Sequence, residues 1–188
     1  MNWLNTVALL LVAYLAVFFE SSYRGFRNLA GAQIDLLPAL VAYAALTTGI
    51  STVALLATLG GLWFDSLSAN PLGISVLPLF VVGLAIHYWR DLILRDQRYA
   101  QFLLGLAASA LVPVFTLLSL FGAGADPLMD WWSLWRWFVM SVGGAAFTPV
   151  FFYLFDRLNR AFSYRPLPET SFRPDREIKR GRVPHMDH

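Results

Sequence analysis

Charged residues divide the chain into five long uncharged runs, at 1–19, 36–64, 66–89, 99–125 and 137–155. A bilayer core about 30 Å thick needs about 20 apolar residues, because an α-helix rises about 1.5 Å per residue. Four of the runs each predict one membrane-spanning helix, at about 3–19, 71–89, 99–121 and 132–155.

The run 36–64 admits two interpretations. As a single helix its 29 residues would extend about 43 Å, which is longer than the bilayer requires. Residues 47–52 (Thr-Thr-Gly-Ile-Ser-Thr) disfavour helix and predict a break into two short helices, the first of which extends back across Asp35 to about Ala32. We therefore expect an all-α integral membrane protein, a six-helix transmembrane bundle, with five spans as the alternative.

The basic residues predict the orientation of these spans. Arg90, Arg95 and Arg98 lie between the fourth and fifth predicted spans, and further basic residues follow the sixth. Two helices separate these clusters, so both lie on one side of the membrane, which the positive-inside rule assigns to the cytoplasm. Both termini are then cytoplasmic. Arg24 and Arg27 fall outside with six spans and inside with five, so this loop favours five.

Composition supports a membrane location and separates the chain into two parts. Hydrophobic residues make up 57% of the chain and charged residues only 14%, whereas soluble domains average about 25% charged residues. Eight of the 14 Lys and Arg residues lie from Arg157 onward, which favours a membrane flank over a nucleic-acid groove. We expect a transmembrane domain at 1–162 and a polar, basic and disordered cytoplasmic tail at 163–188.

The residues that could carry catalysis are few and scattered. The chain has no cysteine, and its three histidines are His87, His185 and His188. Metalloprotease, nucleophile-elbow, P-loop and dinucleotide-binding motifs are missing from the sequence. Asp35 and Asp65 are too isolated to form an acid–base pair. The sequence predicts no catalytic, cofactor or metal site, and thus no enzyme.

Ionisable residues inside a membrane often mark function, because burying a charge in hydrocarbon is costly. Here almost all of them lie at the ends of predicted spans, which argues against a proton relay. Arg136 lies one turn inside the last span, where it could pair with Asp130 or extend its charged group to the interface. Four indole side chains at the same boundary predict a belt at headgroup level: Trp131, Trp132, Trp135 and Trp137.

The most distinctive segment is 60–73, Gly-Gly-Leu-Trp-Phe-Asp-Ser-Leu-Ser-Ala-Asn-Pro-Leu-Gly. It predicts a helix that ends at Asp65 and a second helix that is capped by Ser68 or Asn70. Pro71 suits the first turn of that second helix. The two glycines that open the segment allow tight packing just before the turn.

This segment resembles the MreD family, the small integral membrane proteins of bacterial rod-shape determination. That family shows the pattern Gly-Leu-x-x-Asp-x-x-Ser-x-x-Pro-x-Gly between two hydrophobic spans. The resemblance covers 60–73 in sequence pattern and 1–162 in the layout of spans. The matching positions, which become candidates for the motif or for a partner contact, are Gly61-Leu62, Asp65, Ser68, Pro71 and Gly73.

The resemblance implies a non-catalytic scaffold of the cell elongation machinery in the bacterial cytoplasmic (inner) membrane, which maintains rod cell shape. Its partner would be MreC, with indirect links to MreB, RodA and a class B penicillin-binding transpeptidase of peptidoglycan synthesis, and no cofactor is implied.

The MreD family also resembles, in fold, the six-helix substrate-binding subunits of energy-coupling-factor vitamin transporters, which supplies an alternative function in binding a small molecule. The polar residues that could line such a pocket also suit a helix break; they are Thr47, Thr48, Ser51, Thr52 and Asp65.

Overall fold

A computed structural model describes residues 3–22, 34–68, 71–93, 97–124 and 131–162. Within these ranges the chain is helical and contains no β-strand, which confirms the all-α prediction. The α-helices in chain order are α1 (Trp3–Ser22), α2 (Leu37–Thr47), α3 (Ile50–Leu67), α4 (Val76–Tyr88), α5 (Arg98–Gly122) and α6 (Trp131–Phe162). A short 3₁₀ helix, Arg90–Leu92, follows α4. The predicted tail at 163–188 lies outside the described residues.

Four of these helices, α1, α3, α5 and α6, are long and apolar enough to cross a membrane. The other two are shorter: α2 has 11 residues and α4 has 13. At a rise of 1.5 Å per residue they extend only about 17 Å and about 20 Å. These lengths indicate a membrane-embedded helical protein with four long candidate spans, while the six-span topology stays a prediction.

The break predicted within 47–52 is confirmed, because α2 and α3 are separate helices joined through Thr48 and Gly49. The predicted extension of the first helix back across Asp35 is wrong, because α2 begins only at Leu37. Thr48 has an extended backbone, with φ −121° and ψ −179°. The hydroxyl of Thr47 donates to the carbonyl of Tyr43 at 2.8 Å, and that of Thr48 donates to the carbonyl of Ala44 at 2.6 Å. Hydroxyl side chains that bond to nearby backbone compete with helix continuation in this way.

The short helix α2 forms the centre of the bundle. Its residues from Leu37 to Leu46 are all buried, and it contacts each of the other five α-helices. A helix that is apolar on every side is stable only when it is surrounded by other elements. Tyr43 extends this core towards α6, where its ring stacks on Phe155 with centroids 4.7 Å apart and meets the edge of Phe152 at 4.9 Å.

Small residues bring α5 and α6 close together. Gly105 faces Thr148, and Gly144 faces Ser109, so closely that a Cβ atom on either glycine would collide with the facing side chain. The spacing of four residues between Gly105 and Ser109, and between Gly144 and Thr148, predicts that backbones can approach closely but indicates no partner helix. The structure shows that these two pairs face each other. The two helices thus meet through their backbones near the middle of each.

Candidate functional site

The carboxylate of Asp65 organises the turn between α3 and α4. Its Oδ2 accepts hydrogen bonds from the backbone N–H of Gly73 at 2.9 Å and of Ser75 at 3.1 Å, and its Oδ1 accepts from the hydroxyl of Ser75 at 2.5 Å. Asp65 is only 1% exposed. Hydrogen bonds to a charged group are stronger than neutral ones, so one side chain holds both ends of the turn.

Two predictions about this turn are wrong. Ser68 ends α3 rather than capping the next helix: its backbone N–H donates to the carbonyl of Phe64 at 3.0 Å, and α4 begins only at Val76. Pro71 lies five residues before that start, so it does not form part of the first helical turn. Asn70, the other predicted cap, lies outside the described residues.

Two glycines of the motif allow this geometry. Gly73 has φ +90°, a conformation that side-chain-bearing residues rarely adopt. A Cβ on Gly61 would lie 3.0 Å from both the Cα and the backbone N of Val76, so the first residue of α4 packs directly against the α3 backbone. A Cβ on the preceding Gly60 would lie 2.8 Å from Cδ1 of Leu37. The tight packing predicted before the turn is therefore confirmed.

Two further acidic side chains accept hydrogen bonds from the backbone at the start of α2. Glu20, near the end of α1, accepts from the backbone N–H of Leu36 at 2.6 Å, and Asp35 accepts from that of Leu37 at 2.9 Å. These first backbone N–H groups have no partner within the helix, so the two side chains supply the missing acceptors. No local sequence pattern indicates this role for Glu20, because its partner lies 16 residues further along the chain.

A cavity of about 850 Å³ lies beside this end of the bundle. Its floor contains buried residues that precede or belong to α2 and α4, among them Asp35, Leu37, Ser75 and Leu79. The lining residues of α5 and α6 lie within 112–121 and 131–140. Several of these are exposed, so the cavity is a cleft that opens to the surface between α5 and α6.

Most polar side chains of this cleft are already paired within the protein. Asp35 and Ser75 make the bonds described above, and the hydroxyl of Thr116 donates to the carbonyl of Val112 at 2.9 Å. The indole of Trp137 donates to the carbonyl of Ala110 at 3.0 Å. The cleft therefore presents a predominantly apolar interior.

Asp65 lies far from the other members of the polar cluster suggested for a small-molecule pocket. Four members lie at the α2–α3 turn, namely Thr47, Thr48, Ser51 and Thr52. Asp65 lies at the other end of α3, about 20 Å away along the helix axis. The two neighbouring hydroxyls of this turn bond to their own helix, and Thr52 Oγ1 lies 3.1 Å from Thr6 Oγ1 of α1. These residues form helix-end and inter-helix contacts.

Across the described ranges, no group of three or more His, Asp or Glu side chains could hold a metal ion. Comparisons of this chain with known protein families, with characterised proteins and with solved structures find no match.

Proposed function

We propose that the protein is a non-catalytic scaffold of the bacterial cell elongation machinery that binds MreC and helps to position peptidoglycan synthesis. The observation that carries the proposal is the 61–73 motif, which folds as one hydrogen-bonded unit around Asp65. The carboxylate is buried and fully engaged by backbone and hydroxyl donors. Asp65 therefore shapes a turn and is not placed to take part in a reaction. This arrangement supports a scaffold, which acts through its surface.

The part of the motif available to a partner is the tip of the turn. Pro71 is exposed, and Leu72 beside it is 72% exposed. An exposed apolar side chain on a turn held by a buried carboxylate is a preorganised contact, which lowers the entropic cost of binding. We therefore assign the MreC contact to the tip of the turn and a supporting role to Asp65.

Co-purification from membranes with tagged MreC tests the proposal. We expect the wild-type chain to be captured and the Leu72→Asp variant to be captured weakly at an unchanged membrane level. Leu92→Asp is the matched control, since Leu92 is 79% exposed on the 3₁₀ helix after α4. Failure of MreC to capture the wild-type chain would contradict the proposed function, and equal losses in the two variants would remove the turn from the interface.

The proposed location is the bacterial cytoplasmic membrane, with six spans and both termini in the cytoplasm. The separation of α2 from α3 supports an even number of crossings. Reporter fusions at residue 2 and residue 188 should report the same side. Opposite sides would establish an odd number of spans and exclude the six-span arrangement.

Small-molecule binding of the vitamin-transporter type is the second candidate, and the cleft of about 850 Å³ favours it. This volume is within the range of about 300–1,000 Å³ that is usual for ligand pockets. Such a ligand would need convergent, unpaired polar groups, and most of those in the cleft are engaged by the protein itself. The pairing therefore favours the scaffold.

A further inference from the structure

We propose that the cleft between α5 and α6 binds an anionic phospholipid of the surrounding bilayer, with an acyl chain inside the cleft and the phosphate at Arg136. This inference concerns a lipid site and does not depend on the binding of MreC. Three features of the cleft carry it: the depth of its apolar wall, the pairing of its polar groups, and the guanidinium of Arg136 at its opening.

The wall of the cleft changes from buried to exposed along its depth. Leu37, Leu79 and Val112 lie at the buried end, with 3% exposure or less, whereas Leu118 and Leu134 at the open end are 58% and 57% exposed. A ligand that follows this gradient is apolar at its inner end and reaches the lipid-facing surface at its outer end. An acyl chain that enters sideways from the bilayer has this shape and chemistry.

The cleft offers little to a polar ligand. Its carboxylate and its inner hydroxyls are used in bonds to the protein, as described above for Asp35, Ser75 and Thr116. A ligand with many polar groups would lose its hydrogen bonds to water on entering without gaining replacements, which is costly. A hydrocarbon chain has no such cost, so the pairing of these groups selects an apolar occupant.

Arg136 supplies the recognition of charge at the opening. It is exposed in the second turn of α6 and has no carboxylate partner among the described residues; Asp130, the partner predicted for it, lies outside them. Guanidinium groups bind phosphate through paired donors. The neighbouring Trp131 and Trp137 line the same opening, and indoles favour the headgroup level of a bilayer.

Native mass spectrometry of the purified, delipidated full-length chain in detergent tests the proposal. The probes are phosphatidylglycerol and phosphatidylcholine with identical acyl chains, so that only the headgroup differs. We expect the wild-type chain to retain one phosphatidylglycerol in preference to phosphatidylcholine. Arg136→Gln should reduce this preference about fivefold, since an arginine near an anionic lipid surface contributes about 1 kcal/mol.

Two further variants keep the test specific. Arg98→Gln removes an exposed arginine from the opposite end of α5, and it should leave the preference unchanged. Leu117→Trp adds bulk to a residue that lines the cleft, and it should abolish retention of the first lipid while the chain remains monodisperse and helical by circular dichroism.

Several outcomes would overturn the proposal. Equal retention of the two lipids by the wild-type chain, or an unchanged preference in Arg136→Gln, would show that Arg136 does not recognise the phosphate. Unchanged retention in Leu117→Trp would place the lipid elsewhere on the surface. A long-chain isoprenoid phosphate carries the same kind of anionic head on a branched chain, and its stronger retention would assign the cleft to that lipid instead.

Discussion

The two turns at opposite ends of α3 reverse the chain by different physical means. At the α2–α3 turn only Thr48 and Gly49 separate the helices, and the bonds are local: Thr48 donates to Ala44, and the amides of Thr52 and Val53 donate to the carbonyl of Gly49. At the α3–α4 turn eight residues separate the helices. Besides local bonds such as Ile74 N–H to the carbonyl of Pro71 at 3.3 Å, one buried side chain, Asp65, accepts from two backbone N–H groups eight and ten residues later. The bonds described for the first turn join neighbouring residues, whereas the second turn also depends on one buried carboxylate that bonds to residues distant in sequence.

The difference between the two turns explains why the α3–α4 turn contains the 61–73 motif. A turn stabilised by local backbone and hydroxyl bonds tolerates many sequences, because several residue types can satisfy the same groups. A turn that depends on Asp65 also requires a glycine with positive φ at Gly73 and close backbone contact at Gly61. Substitutions should therefore have large effects at the second turn and small effects at the first.

The largest expected effect follows replacement of Asp65 by Ala. The amide of Ser75 and its hydroxyl would lose their acceptor in a buried site, and the amide of Gly73 would lose its acceptor as well, at a cost of about 3–5 kcal/mol. The midpoint of thermal unfolding in detergent, together with the level of protein in membranes, should fall sharply. Asp91→Ala is the control, since Asp91 has a side chain that is 91% exposed.

Asp65→Asn separates charge from geometry at the same site. The amide oxygen can accept from both backbone N–H groups, and the amide nitrogen can donate to the hydroxyl of Ser75. We expect this variant to be more stable than Asp65→Ala and less stable than the wild type. If Asp65→Asn and Asp65→Ala unfold at the same temperature, the hydrogen-bond geometry inferred for the carboxylate is incorrect.

The next largest effect is expected for Gly61→Ala. The added Cβ would lie 3.0 Å from backbone atoms of Val76, and backbone cannot move aside as the end of a side chain can. Overpacking of this kind costs about 1–3 kcal/mol, and the unfolding midpoint should fall accordingly.

Gly49→Ala provides the matched change at the other turn. The nearest atom to a Cβ on Gly49 is Ser51 Oγ at 3.9 Å, and the φ of Gly49 is −83°. We expect a change of about 0.5 kcal/mol or less. If Gly49→Ala lowered the free energy of unfolding as much as Gly61→Ala, the two turns would be equally sensitive to substitution. That result would contradict the difference inferred between them.

Gly73→Ala tests the contribution of backbone conformation alone and is expected to have the third largest effect. An added Cβ would meet no atom within 4 Å, so the cost of Gly73→Ala comes only from the positive φ, about 1–2 kcal/mol. Gly122→Ala, which also meets no atom but has no positive φ, should be neutral or slightly stabilising. Equal unfolding midpoints for the two variants would contradict a conformational role for Gly73.

Local patterns predicted more of this fold than of its site. The Thr-rich hexamer predicted the α2–α3 break, and the spacing of Gly105 and Ser109 predicted close helix packing without indicating which helix is the partner, because both signals depend on residues within one or two helical turns. Local capping rules predict Ser68 or Asn70 as the acceptor for the start of α4. The actual acceptor, Asp65, lies eight and ten residues before its backbone donors.

Local sequence patterns also fail to predict the acceptor at the start of α2 and the apolar character of the cleft. Glu20 bonds to a backbone amide 16 residues later, a distance beyond any capping pattern. The cleft is lined by residues that precede or belong to five helices, and its apolar character depends on which polar groups are already paired. Such pairing is a property of the tertiary structure, so the positions of Arg136 and Ser75 in the sequence do not reveal it.

The smallest expected effect is that of Thr48→Val at the α2–α3 turn. Valine has nearly the same shape as threonine and favours the extended backbone that Thr48 adopts. The substitution removes the hydroxyl bond to the carbonyl of Ala44, yet the backbone N–H of residue 48 still donates to that carbonyl at 2.8 Å. No buried acceptor is left unpaired, so we expect a loss of about 0.5 kcal/mol or less in the free energy of unfolding. Thr52→Val, which leaves the buried hydroxyl of Thr6 without its partner in α3, should cost more than Thr48→Val. If Thr48→Val instead destabilised the protein as much as Asp65→Ala, the α2–α3 turn would also depend on one side chain, and the contrast between the two turns would fail.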